Sequence, residues 1–158
     1  MKQRLRPALA LGLVGLLLLL LTGCQTRPLP PWDLDAPGWT LTEYGALWCP
    51  RRGAPELAGE LLMARRDDGS RWIQFSKQGI PMVVARVDPG GWEIRSPMDS
   101  KVHSGPGTPP RGVLWFLIRP AADGTPLPPP WHKAAGTHGS GSWQVSNPST
   151  GEWLEVVP

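Results

Sequence analysis

The sequence lacks the motifs by which common enzymes are recognised. It contains no Gly-x-Ser-x-Gly nucleophile elbow, no glycine-rich phosphate-binding loop and no dinucleotide-binding fingerprint. Its paired carboxylates lie in proline-rich, turn or strand-end segments, and the sequence places none of them visibly in an apolar pocket that would raise a carboxyl pKa for acid catalysis. We therefore expect a protein that is not an enzyme.

Metal-ligating side chains are also few. His103 stands alone, and His132 and His138 are six residues apart in a glycine-rich segment. Structural and catalytic metal sites need three or four ligands at fixed spacing, so solvated loop histidines are the better interpretation. We expect no metal and no other cofactor.

The N-terminus has the pattern of a bacterial lipoprotein signal. A basic start precedes a fourteen-residue apolar run over 8–21, which is followed by Thr22, Gly23 and Cys24. As a helix this run would be about 21 Å long, short of the roughly 30 Å hydrocarbon core, which favours a removed signal over a transmembrane anchor. We predict that residues 1–23 are a signal peptide and that Cys24 carries the lipid. In a Gram-negative envelope, retention in the inner membrane usually requires Asp directly after the lipidated cysteine. Gln25 stands at this position and therefore indicates the outer membrane.

Removal of this signal changes the charge and cysteine balance. It takes away three of the sixteen basic residues and no acid, which leaves thirteen bases against thirteen acids. The mature chain has no net side-chain charge and no basic run interleaved with aromatic residues. It therefore lacks the charge pattern of a nucleic-acid-binding protein. An acylated Cys24 also leaves Cys49 without a partner in the chain, so we expect no disulfide and an inert, buried Cys49 thiol.

Residues 24–38 are predicted to be a lipidated, proline-rich tether, and 39–158 a single β-rich domain. Twenty prolines and nineteen glycines disfavour long helices. A first hairpin with a type I′ turn at Asp68-Gly69 would pair Ala64 with Ile73 and Leu62 with Phe75.

A second hairpin is predicted to turn at Pro89-Gly90. It would pair Val87 with Trp92 and Ala85 with Ile94, and would leave Arg86 and Glu93 on a solvated face. Further strands are expected over 101–104, 142–146 and 152–157.

The apolar run over 113–118 fits either a buried strand or a buried helix. We choose a short helix, N-capped by Thr108 with Pro109 at its first position and ended by Pro120.

The expected fold is mainly β, a half-open antiparallel β-barrel or curved sheet whose concave face is covered by one or two short helices. Sequence cannot separate a ligand cavity on this face from a filled core. The candidates for the lining of an apolar cavity are Ile73, Phe75, Val83, Val87, Trp92, Ile94, Trp115 and Trp143.

Over roughly 43–157 the chain resembles the LolA/LolB superfamily of lipoprotein carriers and outer-membrane lipoprotein receptors. Three features carry the resemblance. The first is the lipoprotein signal that ends at Cys24, and the second is the pair of early hairpins over 59–95. The third is Leu114-Trp115, followed by Gly-Thr-Pro-Leu-Pro at 124–128 and then by Trp131. It implies a half-open antiparallel β-barrel with helices in its mouth, an apolar cavity for acyl chains, and, as in LolB-type receptors, an apolar loop that enters the membrane.

Two functions are left open by the sequence. The first is a membrane-anchored, non-enzymatic envelope lipoprotein that binds lipid or acylated cargo. The second is a small envelope lipoprotein with a filled core that serves as a protein-interaction or assembly subunit. Neither involves nucleic acid.

Overall fold

The computed structural model describes residue 29 and residues 32–158, so the predicted signal peptide and Cys24 lie outside the described residues. Within that part of the chain, nine antiparallel strands form one open sheet, and one α-helix packs on it. This confirms the mainly β prediction. No helix of these residues is long and apolar enough to cross a membrane.

The sheet order is β6-β5-β4-β3-β2-β1-β9-β8-β7, with β6 and β7 as its edges. A 3-10 turn over Pro97–Asp99 joins β5 to β6, and the helix α1, Leu114–Ala122, joins β6 to β7. The strands are β1 (Thr40–Cys49), β2 (Leu57–Arg65), β3 (Arg71–Lys77), β4 (Ile80–Asp88), β5 (Gly91–Ser96), β6 (Lys101–Pro106), β7 (His132–Ala135), β8 (Trp143–Asn147) and β9 (Glu152–Val157).

The sheet bends around α1. The ring of Trp92 in β5 lies 5.6 Å from that of Phe116 in α1, and Lys133 Nζ in β7 donates to the carbonyl of Ala121 at 2.6 Å. Strands β5 and β7 are seven places apart in the sheet order, which is roughly 33 Å in a flat sheet. A nine-residue helix is only about 13.5 Å long, so a flat sheet would not bring both strands to it.

The middle of the concave face is packed core. Five consecutive helix residues, 114–118, are buried against side chains from β1 to β5, β8 and β9. The ring of Trp115 lies 4.9 Å from that of Trp48 and 6.0 Å from that of Phe75. Aromatic packing of this kind supplies much of the apolar surface that the fold buries.

The predicted register of the first hairpin was wrong by one residue on β2. Met63 pairs with Ile73 and Leu61 with Phe75. The core face of β2 is therefore Leu61 and Met63, whereas the predicted Leu62 and Ala64 lie on the opposite face. Because side chains alternate, a shift of one residue moves the whole strand to its other face.

The turn explains this shift. Gly69 donates its N–H to the carbonyl of Arg66 at 3.2 Å and has a φ of 88°, whereas Asp68 has no positive φ. This is a type I turn followed by a left-handed glycine, and it makes a three-residue loop in place of the predicted two-residue type I′ loop.

The second hairpin pairs Val87 with Trp92 and Ala85 with Ile94, as predicted. The prediction that its other face is solvated was wrong. Arg86 is 3% exposed and Glu93 is fully buried. The cause is the segment before β1, because Leu29 bonds to both side chains and the Trp32 ring lies 5.6 Å from the Arg86 guanidinium.

The helix prediction is confirmed over 114–118, but both predicted ends were wrong. The helix begins after Val113 with no side-chain cap, and it runs through Pro120 to Ala122. Pro110 follows Pro109, and a residue before proline is disfavoured in the helical region, so Thr108-Pro109 cannot start the helix.

The short strand from Lys101 and the last hairpin are confirmed, with Asn147 paired to Glu152 across the turn. Strands β1 and β7 were not foreseen. Cys49 is buried as predicted, and its thiol donates to the Arg51 carbonyl at 3.1 Å. The structure contains no disulfide in the described residues, where Cys49 is a free thiol.

Candidate functional site

A cleft of about 520 Å³ opens at one end of the concave face, between the sheet and α1. Its floor is apolar and comes from β3, β4 and the first turn of the helix. The loop that leads from β6 to α1 forms one wall, over 107–111. The floor consists of Ile73, Ala85, Val87, Trp115, Phe116 and Leu117.

Strand pairing and helix packing place this floor. Ile73 lies directly opposite Ala85, and Val87 follows on the same face of β4 because side chains alternate along a strand. Trp115 and Phe116 come from the first turn of α1, which crosses above these strands. A small side chain at Ala85 between larger neighbours leaves room that the helix does not fill.

The mouth of the cleft is basic. Arg71, Arg111 and Arg119 line it, together with one acidic residue of the described chain, Asp88. Arg119 forms an ion pair with Asp123 at 2.8 Å. Asp88 Oδ1 accepts the N–H groups of Gly90 and Gly91 at 2.7 and 2.8 Å, so its carboxylate already binds its own turn.

The structure brings together three of the predicted cavity residues, namely Ile73, Val87 and Trp115, at this cleft. The other five do not line it. Phe75 and Val83 are buried in the packed core, and Trp92, Ile94 and Trp143 are half-buried against that core.

Sequence reasoning missed the arginines and the 107–111 wall. Both have a signal in the sequence. Arg71 shares a strand face with Ile73, and the glycine- and proline-rich stretch before α1 is long enough to fold over an edge of a site. Neither signal says which residues meet, because α1 brings the two segments together only in the fold.

A second cleft, of about 480 Å³, lies on the opposite face under the segment before β1. It is the more polar of the two. The Trp32 ring lies 5.2 Å from Trp39 and 6.1 Å from Trp72, and the Arg66 guanidinium lies 5.5 Å from the Trp39 ring. These contacts hold the segment on the sheet.

Two carboxylates, those of Glu93 and Glu155, are fully buried, and both lie away from the first cleft. Burial alone would raise the pKa of Glu93, but hydrogen bonds from Arg95 and Arg86, and the N–H of Leu29 at 2.9 Å, hold its pKa below the ordinary value of 4.5. This group ties the N-terminal segment to β4 and β5, so we assign it a structural role.

Glu155 holds the loop between β7 and β8. Burial would raise its pKa, but hydrogen bonds from His138 and Thr137, with both backbone N–H groups at 2.7 Å, lower its pKa to about 2. The adjacent Gly136 has no room for a Cβ, which would lie 2.5 Å from Glu155 Oε1. This carboxylate also stabilises structure rather than serving the cleft.

The described residues contain no group of three or more His, Cys, Asp or Glu side chains that could hold a metal ion. The chain matches no protein-family model, and the comparison with curated proteins finds no relative.

Proposed function

We propose that this protein is a non-enzymatic envelope lipoprotein that is anchored in the outer membrane through Cys24 and binds lipid or acylated cargo in the first cleft. The apolar floor of that cleft is the observation that carries the proposal. A volume of about 520 Å³ falls within the roughly 300–1,000 Å³ of small-ligand sites.

The bent, open sheet supports the same proposal. The LolA/LolB resemblance implies a half-open barrel with helices in its mouth, and here one helix lies on the concave face of an antiparallel sheet. The packed middle of that face restricts the binding site to one end, so the proposed cargo is a small ligand held beside the core.

The anchor has a direct test. Cys24→Ser should remove the lipid and leave the chain unprocessed or released from the membrane, because the thiol is the proposed acyl acceptor. Membrane fractionation and intact mass measure both effects. A variant with the wild-type fractionation, mass and signal cleavage contradicts the anchor.

Cargo binding is tested by filling the cleft. Val87→Trp places an indole on the apolar floor and should weaken oleate binding by about tenfold or more, because the ring occupies the space for the acyl chain. The chain from residue 24 onwards, with Cys24→Ser, keeps every described residue and allows calorimetric titration without detergent.

The matched control is Val102→Trp on the edge strand β6, which is 47% exposed and lies outside the cleft. It should bind oleate as the parent does. Equal binding by the Val87→Trp and parent proteins, both with unchanged unfolding midpoints, would place the ligand elsewhere.

A second function, protein interaction, is favoured by one observation. Ile80 and Met98 are 58% and 65% exposed, and both lie at the end of the sheet opposite the cleft. The 3-10 turn that carries Met98 contacts β4, the strand of Ile80, and an exposed apolar patch is typical of a contact surface. A flat oleate titration in a folded protein would favour this assembly function.

A further inference from the structure

Two arginines face each other beside the mouth of the first cleft. Arg65 in β2 pairs directly with Arg71 in β3, next to the pair of Met63 with Ile73. Alternation places both arginines on the concave side, and Arg71 lines the cleft next to Ile73 of its floor. Residues paired across strands have Cβ atoms roughly 5 Å apart, and like charges at this distance destabilise a sheet.

The part of the chain that the structure describes offers this pair no ion-pair partner. Among the described residues neither Arg65, Arg71 nor Arg111 forms an ion pair. Two acids of the adjoining turns bind their own backbone, since Asp88 accepts the N–H groups of Gly90 and Gly91, and Asp68 accepts the Ser70 N–H at 2.8 Å. Asp67 is exposed at the tip of the turn.

We propose that this arginine pair, with Arg111 from the opposite wall, binds the carboxylate of a fatty acid whose chain lies on the apolar floor. This inference rests on the proposed function and names the class of its ligand. A guanidinium presents N–H groups in a planar fork that matches a carboxylate. An anion between the two arginines would also offset their mutual repulsion.

The size of the cleft favours a free fatty acid over a larger lipid. About 520 Å³ is a volume for one small ligand. A carboxylate is the smallest anionic headgroup that an acyl chain can carry. A fatty acid and a lysophospholipid both consist of a single acyl chain with an anionic end. A lysophospholipid with the same acyl chain is therefore the ligand to compare with the fatty acid.

The experiment titrates the Cys24→Ser mature chain with oleate, with its neutral glycerol monoester and with oleoyl lysophosphatidylglycerol, each below its micelle concentration. We expect oleate to bind most tightly. Arg71→Gln should weaken oleate binding by about three- to tenfold. This loss of affinity should be smaller in high salt, because salt screens the attraction between the guanidinium and the carboxylate. Binding of the glycerol ester should be unchanged by Arg71→Gln.

The matched control is Lys77→Gln, which removes a charge from the same strand and face at its far end. It should leave oleate affinity unchanged. The side chains of Arg71 and Lys77 are both exposed, so both variants should fold. Arg71→Gln should keep or slightly raise the unfolding midpoint, because it removes the repulsion between Arg71 and Arg65.

The outcomes separate the two proposals. Equal affinity for oleate and its glycerol ester, or an equal loss in Lys77→Gln, overturns the arginine site and leaves the cleft proposal standing. Tighter binding of the lysophospholipid overturns the choice of a fatty acid. Absence of binding by all three probes overturns both proposals.

Discussion

Replacing Glu93 by alanine should destabilise the fold by about 3–5 kcal/mol, because it breaks a buried ion pair by removing the carboxylate. Glu93 is fully buried, and Arg86, 3% exposed, donates to it at 2.9–3.0 Å. The change also removes the acceptor of the Leu29 N–H. Urea denaturation near neutral pH measures the loss, and a loss below about 1 kcal/mol would mean that water reaches Arg86.

A double variant separates the charge from the packing. Arg86→Leu with Glu93→Leu removes both charges and keeps apolar volume, so it should recover most of the stability that Glu93→Ala loses. A double variant that is as unstable as the single one would assign the loss to packing instead.

The same pair predicts a pH dependence. Hydrogen bonds from Arg95 and Arg86 outweigh burial and hold the pKa of Glu93 below its ordinary value of 4.5. Its contribution is therefore present above that pH and is lost as the pH falls through the folded-state pKa. The stability gap between wild type and Glu93→Gln should be constant above the ordinary pKa of 4.5 and should narrow as the pH falls below it.

Phe75→Ala should cost about 3–5 kcal/mol, which is typical of a buried aromatic side chain cut to a methyl group. Phe75 is fully buried, its ring meets that of Trp48 edge-on at 5.6 Å, and it covers Gly59, where a Cβ would lie 2.8 Å from the ring.

Phe75→Leu is the graded control, since it keeps most of the apolar volume and should lose clearly less stability. The free energies of unfolding come from the same urea series. If alanine and leucine are equally tolerated, the ring is not part of the packed core.

The two early hairpins show how far turn chemistry can be read from the sequence. Pro89-Gly90 made a two-residue loop as expected, and its register followed. At Asp67-Asp68-Gly69 a three-residue loop formed instead, and the assigned face of β2 was inverted while that of β3 was correct. Alternation is a property of each strand by itself, whereas register depends on the conformation of a single turn residue.

The Arg86–Glu93 pair shows a different limit. Alternation correctly placed both residues opposite the apolar face, but it could not show that they are buried. That burial comes from Leu29 and Trp32, which precede Arg86 by more than fifty residues and contact the pair. A polar residue on a strand looks the same in sequence whether water or a distant segment covers it.

Local patterns were enough to predict an antiparallel, mainly β protein, because turns and alternation act over a few residues. They left helix and strand open for the apolar run over 113–118, which the fold makes helical from Leu114. The insertion of β1 between β2 and β9, the burial of Glu93 and the position of the cleft were decided by tertiary structure. Ile73 and Phe75 share one strand face, yet the first borders the cleft and the second lies in the core. The difference depends on where α1 rests, and that position is set by contacts between residues far apart in the chain.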